Sequence, residues 1–202
     1  GLYPAYAGEL EGEVLAAGCP VGKMGPRERS REVSILFQNP DNQFCMDTVE
    51  REVLFALENV AWPGDMRERC RELLALVGLE GREKDRIGQL SGGTKQKLAL
   101  CTALACGART LVLDEPFANL DPASCADFSR TVRELADEGK TIVFVTHDLD
   151  FALVTADFVS MPFDGEIACT EPVQAFFANN IVYRPNAESR LFGEIAAEGG
   201  RA

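Results

Sequence analysis

Leu90-Ser91-Gly92-Gly93-Thr94-Lys95-Gln96-Lys97 opens a segment that continues through Thr110-Leu111-Val112-Leu113-Asp114-Glu115-Pro116 to Asn119-Leu120-Asp121-Pro122. Ser91, Gly92 and Gly93 form a glycine-broken turn at the start of a helix. Their unpaired backbone N–H groups make an anion site. From Thr94 to Cys106 the residues are apolar on most sides after the first turn, which predicts a largely buried helix. A short apolar strand over 110–114 follows and ends in Asp114 and Glu115. Two carboxylates at the end of an apolar strand suit a metal and a proton acceptor better than they suit packing.

Downstream, Pro122 sits at a helix start, where its missing N–H costs nothing. That helix is expected to run to about Glu138, with Phe128, Val132 and Leu135 facing inward. Thr141 to Thr146 is a continuous apolar run, predicted as a strand buried on both faces. It ends at His147-Asp148, and His147 is the only histidine in the chain. A helix over 149–156, strands near 158–161 and 166–170, and a helix over 171–178 are expected to close the fold.

Upstream, Gly12 to Gly18 and Arg31 to Gln38 read as strands separated by a polar loop, Pro20 to Ser30. The second strand ends in Asn39-Pro40-Asp41-Asn42 turn chemistry. Asp47, with Glu50 three residues on, predicts a capped helix over 48–60 with Val49, Val53, Leu57 and Val60 on one face. Trp62-Pro63-Gly64 breaks it. Asp65 starts a second helix that buries Met66, Cys70, Leu73, Leu74 and Val77 and stops at Gly78. Two consecutive helices between β segments suggest a helical subdomain over about 43–90. Strands alternating with helices imply a parallel sheet with right-handed crossovers. The carboxylates and His147 then fall at the carboxyl ends of strands, where such sheets bind ligands.

The 202 residues are 46% hydrophobic and 26% charged, enough for a sizeable core. A formal net charge of −12 argues against non-specific binding to nucleic acid or to an anionic bilayer surface. No apolar run is long enough to span a membrane. The seven cysteines are scattered, with no CxxC pair, and read as small buried residues rather than a disulfide framework or zinc site.

Taken together, the ordered motifs resemble those of the ATP-binding-cassette (ABC) ATPases. Leu90 to Gln96 is similar to the family signature LSGGQ, with Thr94 in place of glutamine. Leu111 to Glu115 resembles the Walker B strand with its following glutamate, and Leu120-Asp121 resembles the D-loop. Phe37-Gln38-Asn39-Pro40-Asp41-Asn42-Gln43-Phe44 followed by Thr48-Val49 is similar to the cobalt-type and energy-coupling-factor importer ATPases. The resemblance implies a P-loop NTPase-like parallel sheet with a helical signature subdomain and a small antiparallel β part. It implies ATP and Mg²⁺ as ligands, with Asp114 and Gln38 toward the metal and Glu115 as general base. His147 would contact the γ-phosphate. Ser91, Gly92, Gly93 and Asp121 would act across a head-to-tail dimer with a second cassette, identical or paralogous. Transmembrane transporter subunits and a peripheral place on the cytoplasmic face of the membrane follow from the same resemblance.

The phosphate cradle of such enzymes, G-x-x-x-x-G-K-[ST] between a strand and a helix, is not found in the 202 residues. Gly139-Lys140-Thr141 precedes a strand, with Glu134 at the first glycine position. Gly22-Lys23 is followed by Met24. Gly1-Leu2-Tyr3-Pro4 reads as the middle of a domain. The expectation is an incomplete cassette over 1–180, without the first strand and P-loop helix, followed by a tail over 181–202. A central strand's loss would uncover several apolar side chains, so the chain alone is expected to fold poorly and to bind ATP weakly. The alternative is an incompetent cassette that lends its signature motif to a partner ATPase.

Overall fold

The computed structural model describes residues 11–118 and 120–179; the opening Gly1-Leu2-Tyr3-Pro4, Asn119 and the 181–202 tail lie outside them. Its centre is a three-stranded parallel sheet in the order β3 (Val33–Leu36), β4 (Thr110–Asp114), β5 (Thr141–Val145). Before it, β1 (Leu15–Ala16) and β2 (Cys19–Pro20) form a minimal antiparallel hairpin. Its turn places Ala17 and Gly18 at positive φ. After the sheet, β6 (Phe158–Phe163) and β7 (Glu166–Pro172) make a second antiparallel hairpin.

The helices are α1 (Pro26–Glu32), α2 (Val49–Asn59), α3 (Met66–Leu76), α4 (Gly92–Ala105), α5 (Pro122–Asp137), α6 (Leu149–Thr155) and α7 (Val173–Asn179). The expected inward faces are buried: Val49, Val53, Leu57 and Val60 near α2, Cys70, Leu73, Leu74 and Val77 near α3, and Phe128, Val132 and Leu135 on α5. These side chains join Leu98, Ala99, Leu100 and Leu104 of α4 and Leu36, Leu111 and Leu113 of the sheet in one continuous core. α2 and α3 both pack on α4, so the helical portion and the sheet share that core. Among the described residues no helix is long and apolar enough to cross a membrane.

Four sequence expectations need correction. The segment over 20–30 holds a helix, α1, which buries no side chain and so leaves no apolar periodicity to read. Its local signals are Pro26 at the first turn and Glu28, whose carboxylate accepts the Gly25 N–H at 2.8 Å. Asp47 does not cap α2. The first N–H groups there donate to distant carbonyls, Val49 N to Asp85 O and Glu50 N to Glu83 O, while Asp47 pairs with Arg51 at 2.7 Å.

The third correction concerns β5, which is covered on one face only. Leu36, Leu113 and Phe144 stand in register on the covered side. Ile35, Val112 and Val143 form the opposite row, and no described element covers it: Ile35 and Val143 are each 48% exposed and Val145 is 58% exposed. An apolar run establishes a strand, but it does not say how many layers flank it.

The cysteines also depart from expectation. All seven are free thiols, yet only Cys70 and Cys101 are buried, and Cys19 and Cys45 are exposed.

Candidate active site

Every strand of the parallel sheet ends on the same side, and the parallel register sets which residues meet there. Leu36 pairs with Leu113, so Gln38 and Asp114 leave neighbouring strands close to the same level. Asp114 pairs with Val145, which brings Glu115 level with Thr146 and His147. By alternation along β4, Asp114 shares the open sheet face with Val112, and it is exposed.

Glu115 is held by its own strained backbone and by the end of β5. Its φ of 44° lies in the left-handed region, which costs a non-glycine residue roughly 1–2 kcal/mol. That turn directs the Glu115 N–H to Val145 O at 2.9 Å. The side chain folds against the next corner. Oε1 accepts the His147 backbone N–H at 3.1 Å and meets His147 Nδ1 at 2.8 Å, while Oε2 accepts the Thr146 hydroxyl at 3.3 Å. The Thr146 Oγ1 in turn accepts the Asp148 N–H at 3.0 Å. The Glu115 side chain is only 18% exposed, whereas that of His147 is 82% exposed. With Nδ1 on the carboxylate, Nε2 lies on the far side of the ring.

This contact raises the His147 pKa above its ordinary value of 6.5. The hydrogen bond from its ring to the Glu115 carboxylate is the largest cause and the Glu115 charge the next, with desolvation opposing both. Behind the pair, Phe117 packs edge-on against Phe128 and stacks on Phe151, which also meets Phe144. The aromatic cluster therefore fixes the chain directly after Glu115. Thr146 was missed from sequence, although a hydroxyl immediately before the strand-terminal histidine was the available signal.

The helix starts form a second group. Ser91 caps α4, its Oγ accepting the Thr94 N–H at 3.3 Å. Asp121 caps α5, accepting Ser124 N–H at 3.0 Å and Ser124 O–H at 2.6 Å. Those two Ser124 bonds hold the Asp121 carboxyl below its usual range. The two helix starts touch: a Cβ on Gly93 would meet Ser124 Oγ at 2.9 Å and Ser124 Cβ at 3.1 Å. Gly93 is thus a packing requirement as well as an open N–H group.

Gln38 itself is exposed, but the loop after it is pinned. Gln43 Oε1 accepts the Phe37 N–H at 3.1 Å, and Asn39 Oδ1 accepts the Asp41 N–H at 3.1 Å. Lys95 in the first turn of α4 meets Asp41 Oδ1 at 2.7 Å, with the lysine only 16% exposed. Buried Glu52 accepts the N–H groups of Cys45 and Met46 at 2.9 and 2.7 Å.

Among the described residues no cluster of three or more His, Cys, Asp or Glu side chains could hold a metal by itself. The donor chemistry nonetheless fits Mg²⁺, which takes one or two carboxylates and completes its shell with water and substrate phosphate oxygens. Asp114 offers the carboxylate and Gln38 a neutral amide oxygen.

Residues 2–118 match the family described as ABC transporter. The chain is 41% identical over 152 residues to the energy-coupling factor transporter ATP-binding protein EcfA1 of Thermotoga maritima, covering 75% of this chain and 57% of that protein. It spans 57% to 65% of the length of six curated relatives of this kind. Among solved structures it resembles CbiO1 of Clostridium perfringens, described as part of the ABC transporter complex CbiONQ. The TM-score is 0.75 at 29% identity, over 84% of this chain and 69% of that one. It also resembles the ATP-binding cassette MJ0796, a dimer bound to ADP and Pi, with a TM-score of 0.71 at 26% identity over 81% of this chain and 74% of that one.

Proposed function

The chain belongs to the ABC transporter family, and from that premise we propose that it serves as an ATP-hydrolysing subunit of a membrane importer of the energy-coupling-factor or cobalt type. The observation that carries this reading is the Glu115–His147 contact at 2.8 Å, beside Asp114 at the carboxyl ends of a parallel sheet. A carboxylate steadied by a histidine ring and two further donors is a positioned proton acceptor.

In this reading, Glu115 takes a proton from water as the water oxygen attacks the γ-phosphorus. The bond to the bridging β–γ oxygen then breaks, and ADP and phosphate leave. His147 orients Glu115 through Nδ1 and reaches the γ-phosphate from its outer side. Asp114 and Gln38 would hold Mg²⁺ together with the phosphates, and the ion would supply neutralising charge there. Phosphoryl transfer depends mostly on positioning and charge neutralisation, which is what these groups can provide.

Ser91, Gly92, Gly93 and Asp121 act in this reading on ATP held by a second cassette, identical or paralogous, in a head-to-tail pair. Gln38 and the pinned loop after it would meet transmembrane subunits in this reading, with the chain peripheral on the cytoplasmic side of the membrane.

The test is to purify the chain with its membrane subunits in detergent and to follow phosphate release from Mg-ATP. ATP hydrolysis by a complex containing integral membrane proteins is the expected result. A chain that recovers no membrane subunit and no ATPase activity contradicts the proposal.

A further inference from the structure

Thr94 stands where the signature usually has glutamine, and its contacts are specific. Its Oγ1 accepts a hydrogen bond from Arg82 Nη1 at 3.1 Å and lies 2.9 Å from Ser91 Oγ. Arg82 is itself held by Asp85, Nε to Oδ2 at 2.8 Å. Ser91 Oγ also accepts the Thr94 backbone N–H.

Each of the two hydroxyls has one proton, and the guanidinium decides where they go. Arg82 already donates to Thr94 Oγ1, and a cation there draws electron density from that oxygen. This makes the Thr94 O–H the better donor of the pair. If Thr94 donates to Ser91 Oγ, the Ser91 proton is left to point outward, past the N–H groups that open α4. The reverse arrangement would use the Ser91 proton internally and make its acceptor the oxygen whose density the guanidinium already draws away.

We propose that Arg82 and Thr94 are positioning residues that polarise Ser91 through a one-directional chain of hydrogen bonds, from Arg82 to Thr94 to Ser91 to a phosphate oxygen. The inference rests on reading Ser91 to Gly93 as the group that meets phosphate across the cassette pair. In such a chain each donor strengthens the next. The Arg82–Thr94 pair thereby ties the turn before α4 to the hydroxyl that does the binding.

The test is steady-state ATP hydrolysis by the complete transporter complex carrying S91A, T94V, T94S or R82Q in this chain. The phosphate contact forms as the cassettes close over bound ATP, so kcat falls while KM stays within about two-fold of wild type. Loss of one hydrogen bond to a charged group corresponds to about a 10-fold fall in kcat for T94V. R82Q falls in the same direction by about 3-fold, since one neutral donor remains. T94S, which keeps the hydroxyl, recovers the rate that T94V loses. Thermal melts of each complex separate misfolding from lost polarisation, and if T94V does not fold, the T94S-against-R82Q comparison decides. Wild-type kcat in T94V and R82Q, alongside a lowered kcat in S91A, overturns the relay and leaves the signature reading standing. Wild-type kcat in S91A, or a wild-type complex without ATPase activity, overturns the signature reading and the relay with it.

Discussion

Glu115 and His147, 32 residues apart, meet at 2.8 Å between Oε1 and Nδ1 because β4 and β5 pair in parallel and end together. The strained Glu115 backbone and the hydroxyl of Thr146 hold the carboxylate in that place. This contact joins the ends of β4 and β5, and it can be measured without nucleotide.

His147 is the only histidine, so its ring signal in a proton NMR titration is unambiguous. Its pKa is expected above 6.5, and E115Q should return it toward that value. The pair's contribution to stability is fully present below the unfolded value of about 6.5 and is lost as pH rises through the raised folded value. A titration unchanged by E115Q would show that the pair does not form in solution.

G93A should destabilise the chain even though alanine is the better helix former by about 1 kcal/mol. The new methyl collides with Ser124, whose hydroxyl is already committed to Asp121, and overpacking of this kind costs about 1–3 kcal/mol. Urea unfolding should show a net loss for G93A and a recovery for G93A combined with S124G. A G93A chain as stable as the parent would mean the two helix starts lie further apart.

The two faces of the sheet should respond differently to truncation. L111A removes a fully buried side chain and should cost about 2–5 kcal/mol. V143A, on the open face, should cost about 1 kcal/mol or less. Equal losses in chemical denaturation would mean that the open face is covered in solution.

The cysteines can be sorted by alkylation of the folded chain and mass spectrometry. Cys19 and Cys45 are exposed and should react first. Burial pushes the Cys70 thiol up to about 11 and Cys101 upward as well, so both should be spared until the protein unfolds. Early labelling of Cys101 would contradict the packing of α4 in the core.

Much of this was legible because the informative residues sit at element ends. Asp114, Glu115 and His147 end apolar runs, which puts them at strand termini along one edge of the sheet. The inward positions of α2, α3 and α5 followed from helical spacing. What escaped depends on partners distant in the chain. Asp47 has a capping sequence, but the N–H groups it would cap are taken by the carbonyls of Glu83 and Asp85. Glu52 looks like one more helix charge, yet it is buried and holds the backbone of Cys45 and Met46. The Arg82–Thr94 bond and the clash that excludes a side chain at Gly93 arise from tertiary approach, which no local pattern encodes.

In the proposed function Glu115 accepts the proton when ATP is hydrolysed. The direct measurement is the single-turnover rate of Mg-ATP hydrolysis by the intact transporter complex, with and without E115Q in this chain and its counterpart in any identical partner. A fall of ~10²–10⁴-fold in the chemical step, with ATP binding retained, is expected. Hydrolysis at the wild-type rate in E115Q would contradict it.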